Sequence, residues 1–143
     1  MYYSDAVNSY QKTRVETVDD LKLVIMCYDA TIRDLEDAKK LHQGQAMEAT
    51  YEKIRHAQDI ITELLVGLDY DRGGVIAQNL SKLYNFLLRQ LVGINSRKDT
   101  AMYDHLIRIL SELRSAWEQV RLNSLREVPV PTPAPARAWG VSA

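Results

Sequence analysis

The sequence predicts an all-α protein: an antiparallel up-down four-helix bundle, with a short N-terminal segment and a disordered proline-rich C-terminal tail. Three observations carry this expectation. All four prolines, Pro129, Pro131, Pro133 and Pro135, fall in the tail, and residues 1–128 hold none. A proline inside a helix removes a hydrogen bond and clashes with the preceding turn, so a long, leucine-rich, proline-free body suits helices. Apolar residues recur at helical spacing through four long stretches. The links between these stretches are short, which makes sequential helices antiparallel neighbours.

Composition bounds the rest. The chain has 143 residues and a net charge of −1, enough for one domain with a real core. It has no Lys/Arg run, so nucleic acid has little electrostatic footing. The single cysteine, Cys27, cannot form an intrachain disulfide and is expected as a small buried thiol. No apolar stretch is long enough to span a bilayer, and no signal-peptide core precedes the body. These features predict a soluble, cytoplasmic protein without membrane insertion. The expected organisation is a cap segment at 1–15, a bundle at 16–126 with helices near 18–43, 46–68, 74–95 and 99–126, and a tail at 127–143.

In the N-terminal segment Tyr3, Val7 and Tyr10 line one face of a potential short fifth helix. A lone short helix is marginal in water, so this segment is either docked on the body or frayed, and the aromatic spacing favours docking. The first bundle helix begins with Thr17 and Asp20, the pattern of a capping box. Its core stripe is Leu21, Val24, Ile25, Tyr28, Ile32 and Leu35, and Gly44 is placed to end it in the left-handed conformation. The second helix carries Met47, Tyr51, Ile54, Gln58, Ile61, Leu65 and Leu68, widened on one side by Ala57, Ile60 and Leu64. Gly73 and Gly74 then permit a sharp reversal.

The third helix is apolar over most of its circumference. Ile76, Leu80, Leu83, Leu87, Leu91 and Ile94 form one stripe, and Ala77, Tyr84, Leu88 and Val92 a second beside it. One apolar stripe suffices for a surface helix, so this helix is covered from two sides, either centrally in the bundle or by a partner. Asp99 suits the N-cap of the fourth helix. That helix buries Met102, Leu106, Ile109, Leu110, Leu113, Trp117 and Val120. The tail alternates proline with small residues and is expected to be extended and mobile; Trp139 is its one aromatic side chain.

Chemistry is sparse in this sequence. His42, His56 and His105 fall on different helices with no Glu-x-x-His pair, the motif that carboxylate-bridged metal bundles need twice. Glu52 and His56 are expected as a surface ion pair. Asp69 and Asp71 lack the spacing of a calcium loop. Gly73-Gly74 lacks the lysine of a phosphate loop, so a tight turn is the better expectation. The aromatics Tyr28, Tyr51, Tyr103 and Trp117 are expected in the core. No catalytic residue, metal site or cofactor is predicted.

In order and at consistent distances, several short motifs together resemble the bacterial flagellin-export chaperones, the FliS family. They are Tyr10-Gln11, the LVIMCYD of Leu23 to Asp29, the AQDIITEL of Ala57 to Leu64, Leu68-Asp69, Gly73-Gly74, Ile76-Ala77, Asn79-Leu80 and Leu83-Tyr84. Arg89, Leu91, Asn95, Asp99 and the LRSAW of Leu113 to Trp117 complete the pattern. The resemblance covers about residues 8–120. Val18-Asp19 stands where the family often has Ser-Pro, Ile94 where it usually has Ala, and the tail has no counterpart. The resemblance implies a chaperone that binds the disordered C-terminal segment of flagellin and prevents early polymerisation. It also implies delivery of that client to the type III export apparatus. The family's N-terminal segment covers part of the groove until client displaces it, which here implicates Tyr3, Val7 and Tyr10. The export gate, an anti-sigma factor or a co-chaperone are further partners of this kind of protein, and the free protein is a candidate homodimer.

A disordered client needs a long apolar track and not one pocket. The flank of the third helix with the widened face of the second is the expected groove: Ile60, Leu64, Leu68, Ala77, Leu80, Tyr84 and Leu88. The rival readings are a self-associating bundle without a flagellin client, and an enzyme built inside a bundle.

Overall fold

The computed structural model describes residues 18–126, all of them in helices or the short links between helices. Four long helices follow in order: α1 at Val18–Gln43, α2 at Met47–Val66, α3 at Tyr70–Leu91 and α4 at Ala101–Arg126. A single 3₁₀ turn at Ile94–Ser96 joins α3 to α4. The result is an all-α helical bundle. The closest packing is between α1 and α2 and between α1 and α4, with α3 laid against α2. Thr17 of the expected capping box, the cap residues Tyr3, Val7 and Tyr10, and the whole tail lie outside the described residues.

Three helix ends differ from the sequence expectation. Gln45 at φ 63°, not Gly44, takes the left-handed conformation after α1. The Gly44 amide still bonds back to the Lys40 carbonyl (3.0 Å), so the chain turns one residue later than a glycine stop would place it. The α3 helix starts at Tyr70, not Gly74, because the Asp69 side chain accepts from the Arg72 amide (3.2 Å) and caps an extra turn. Gly74 then interrupts that turn at φ 51°, ψ −125°. At its other end α3 stops at Leu91, since Gly93 at φ 77° turns the chain left-handed and leaves Ile94 in the 3₁₀ turn. Asp99 does cap α4, accepting from the Ala101 amide at 3.0 Å.

The core runs along the facing stripes. Leu21, Val24, Ile25, Tyr28 and Leu35 of α1 meet Ile54, Ala57, Ile61 and Leu64 of α2. Leu80, Tyr84, Leu87 and Leu91 of α3 and Tyr103, Leu106, Leu110 and Trp117 of α4 complete the same buried cluster. One polar chain crosses this core. The Trp117 indole N–H donates to the Tyr28 hydroxyl (3.0 Å), and the Tyr28 and Tyr84 hydroxyls hydrogen-bond to each other. Three helices are thereby joined at one level, and buried hydroxyls that would be costly if unpaired are paired.

Candidate functional site

Catalysis needs several polar groups converging at one place. His42 is buried near the end of α1, and both ring nitrogens are occupied. Nε2 lies 2.9 Å from the Arg97 carbonyl, which can only accept, so Nε2 carries the proton. Nδ1 hydrogen-bonds with the Tyr103 hydroxyl at 2.8 Å. A ring engaged on both sides ties α1 to α4 and to the preceding link, and both nitrogens are taken up by these contacts. The hollow beside it, about 520 Å³, is lined by Gln43, Gln45, Met47 and the polar link from Asn95 to Thr100. His56 bonds to Asp34 of α1, not to Glu52 as the sequence suggested. Among the described residues no group of three or more His, Cys, Asp or Glu side chains is gathered for a metal.

Charge elsewhere serves packing between helices. Arg114 of α4 donates through Nε to Asp29 of α1 at 2.7 Å, and Lys39 of α1 reaches Asp104 of α4 at 2.8 Å. The Asp29 carboxylate beside it raises the Arg114 guanidinium above its ordinary pKa. These pairs define which flank of α4 faces α1. The opposite flank carries His105, whose ring stands edge-on to Phe86 of α3 with centroids 6.5 Å apart.

That ring contact orients the apolar surface. At about 100° per residue, Ile76, Leu83 and Phe86 share the side of α3 that faces α4. Met102, Ile109, Leu113 and Val120 share the answering side of α4. Ile76 is 38% exposed and the other six are half-buried. The two helices stand further apart than the other sequential pairs, so these side chains line an open seam. The other flank of α3, toward α2, carries Leu88 and Val92, with Met47 and Tyr51 of α2 near them in the antiparallel register. Val92 is 73% and Tyr51 49% exposed. Thus α3 has a buried meridian of Ala77, Leu80, Tyr84, Leu87 and Leu91 and an accessible apolar strip on each side of it.

The expected groove residues divide accordingly. Ile60 and Leu88 are half-buried and reachable. Leu64, Leu68, Ala77, Leu80 and Tyr84 are buried in the bundle core. The sequence shows the apolar arc of each helix but not where its centre falls. The arc of α2 is turned so that Ala57 and Leu64 face inward while Met47 and Tyr51 face out. Tyr51 is accordingly exposed where a core aromatic was expected, and Cys27 is half-buried, not enclosed. The seam residues Leu83, Phe86, Ile109 and Leu113 were visible in the sequence as stripe members. Nothing in a single helix's periodicity marks them as the edge of a stripe.

A bundle with accessible apolar strips beside α3, and with its one buried histidine taken up by contacts between helices, is a helical binding module in form. The comparisons with known proteins agree with that class and narrow it. Residues 3–124 match the family model described as flagellar protein FliS. A flagellar secretion chaperone FliS of Vibrio cholerae is 32% identical over 80% of this chain and 88% of its own length. The flagellar secretion chaperone FliS of Salmonella typhimurium is 32% identical over 84% of this chain and 93% of its own. FliSB of Pseudomonas aeruginosa is 29% identical over 84% and 98%. The chain belongs to the FliS family, a family of chaperones in flagellar export. No helix among the described residues is long and apolar enough to cross a membrane.

Proposed function

We propose that this chain is a cytosolic export chaperone that holds the disordered C-terminal segment of flagellin along both flanks of α3. In that role it keeps the client from polymerising early and aids its delivery to the flagellar type III export apparatus. The observation that carries this reading is the pair of accessible apolar strips flanking one helix, in a member of the FliS family.

The energetics favour a track over a pocket. Ordering a chain costs about 1–2 kcal/mol per residue in backbone entropy. Burying a Leu or Ile side chain stabilises by about 1.5–3 kcal/mol. A client must therefore place an anchor every few residues, which an amphipathic helix does at i, i+3, i+4 and i+7. The seam between α3 and α4 accepts one such helix. The strip of Leu88, Val92, Met47 and Tyr51 accepts another on the far side of α3. The cap role that the family resemblance implies for the N-terminal segment would fall to Tyr3, Val7 and Tyr10, which lie outside the described residues.

Calorimetric titration with a peptide from the C-terminal segment of the same organism's flagellin tests the reading. One-to-one binding with a large negative heat-capacity change and a gain in helicity is expected, the signature of folding onto apolar surface. Leu88→Asp abolishes binding and leaves helicity nearly intact. Val92→Asp, at a position too exposed to affect the core, weakens it about tenfold or more, the value of one lost anchor. Unchanged affinity in both variants removes the α2-facing strip from the client path. No binding by the unaltered protein, together with a dilution-dependent mass, replaces the chaperone with a self-associating bundle.

A further inference from the structure

The α3–α4 seam begins near Val120 and runs to the Phe86–His105 contact. The α4 helix ends at Arg126, beyond the Val120 end of that seam, and the chain continues through residues 127–143. An occupant of a groove between helices must bring side chains, because helices offer no free backbone edge to pair with. Residues 127–143 suit that requirement. Pro129, Pro131, Pro133 and Pro135 lack amide donors, Val128 and Val130 alternate with them, and Trp139 follows.

The lengths also agree. His105 lies twenty-one residues before Arg126 on α4, which at 1.5 Å per residue is about 32 Å. If three residues reverse the chain after Arg126, ten residues of extended polyproline-like chain at ~3.1 Å each reach about 31 Å. That places Trp139 level with Phe86 and His105. A tether this short gives an effective concentration in the millimolar range, so a contact with a dissociation constant of about 1 mM is already populated.

We propose that residues 127–143 fold back into the α3–α4 seam of their own chain, with Trp139 seated against Phe86, and so act as a built-in competitor for the client. This inference rests on the seam being a docking surface, as in the proposed function. Polyproline segments characteristically dock on aromatic-lined grooves, and the Phe86 and His105 rings stand at the far end of this one.

The test uses the full chain with Cys27→Ser and Ser142→Cys, a nitroxide on the new thiol, and methyl NMR. The expected result is loss of the Leu83 and Ile109 methyl signals, with Met47 and Leu88 on the other flank unaffected. The loss is unchanged across a dilution series and is reversed by Trp139→Ala. Absence of selective loss, or equal loss on both flanks, overturns the proposal. A loss that disappears on dilution means that a second copy supplies the tail, which overturns it too. Adding unlabelled flagellin peptide separates the two readings. Signals restored by peptide show competition for the seam. Signals that stay lost in the presence of bound peptide overturn the competitor role and remove the client from the seam.

Discussion

Gln45 holds a backbone that its side chain disfavours. It lies at φ 63° between α1 and α2, with its amide bonded to the His42 carbonyl at 2.9 Å. A left-handed conformation costs an L-residue roughly 1–2 kcal/mol because Cβ crowds the following carbonyl. Glycine removes that cost but adds about 0.4–1 kcal/mol of unfolded-state entropy. Gln45→Gly is therefore expected to stabilise the protein by about 0.8 kcal/mol, the difference between the midpoints of those two ranges. Urea unfolding reads this directly, and a midpoint that stays put or falls contradicts it. Glycine at 44 does not do this job: a Cβ there would meet the Lys40 carbonyl at an ordinary 3.5 Å. The sequence therefore shows that the helix must end here, since a Gly lies at the break, but not which residue turns left-handed. That choice depends on the hydrogen bonds closing the turn, which span Leu41 to Ala46.

At the scale of elements, α3 shows how much periodicity reveals and where it stops. Its unusual apolar breadth is plain in the sequence and has a structural counterpart, a buried meridian with an accessible strip on each side. The division between core and strip is not plain. Ile76 and Leu83 sit in the same stripe as Leu87 and Leu91, yet the first two line the α4 seam while the latter two are enclosed. Only the direction of the neighbouring helices separates them, and no spacing within α3 encodes that direction. The start of α3 makes the same point, because Asp69 caps a turn ahead of the glycines. Gly74 interrupts this turn at φ 51°, ψ −125°, outside the allowed regions for other residues. A Cβ at Gly74 meets nothing within 4 Å, so the penalty for Gly74→Ala is torsional and not steric. It is expected to destabilise by about 1–3 kcal/mol. Because the kink leads into the Ile76 end of the seam, the same substitution is expected to weaken peptide binding. A thermal midpoint equal to that of the unaltered protein contradicts the assigned backbone.

Across the whole molecule, what the sequence makes legible is the bundle: four long helices, short links and one continuous core. What holds those helices in register is a polar device that no helical period reveals. Tyr28, Tyr84 and Trp117 come from three helices, and their hydrogen bonds meet at the Tyr28 hydroxyl. Burial pushes Tyr28 from 10.0 up to about 12, against the hydrogen bonds from Tyr84 and Trp117, which lower it. Burial pushes Tyr103 up to about 12 as well. A tyrosine whose folded pKa lies above its unfolded value contributes stability that is intact below pH 10 and is lost as the pH rises through 12. In that window the unfolded chain releases the phenolic proton while the folded protein still holds it, so unfolding gains ground. Each unit of difference corresponds to about 1.4 kcal/mol, so Tyr28 alone removes on the order of 2–3 kcal/mol across the window. Urea midpoints are thus expected to be level near pH 8–9 and to fall steeply above pH 10. Tyr28→Phe separates the cause from general alkaline damage. The variant starts less stable, having lost a buried hydroxyl that serves both Tyr84 and Trp117, but its decline above pH 10 is shallower. An equal decline in both proteins means that the central hydroxyl is not what the bundle loses at high pH.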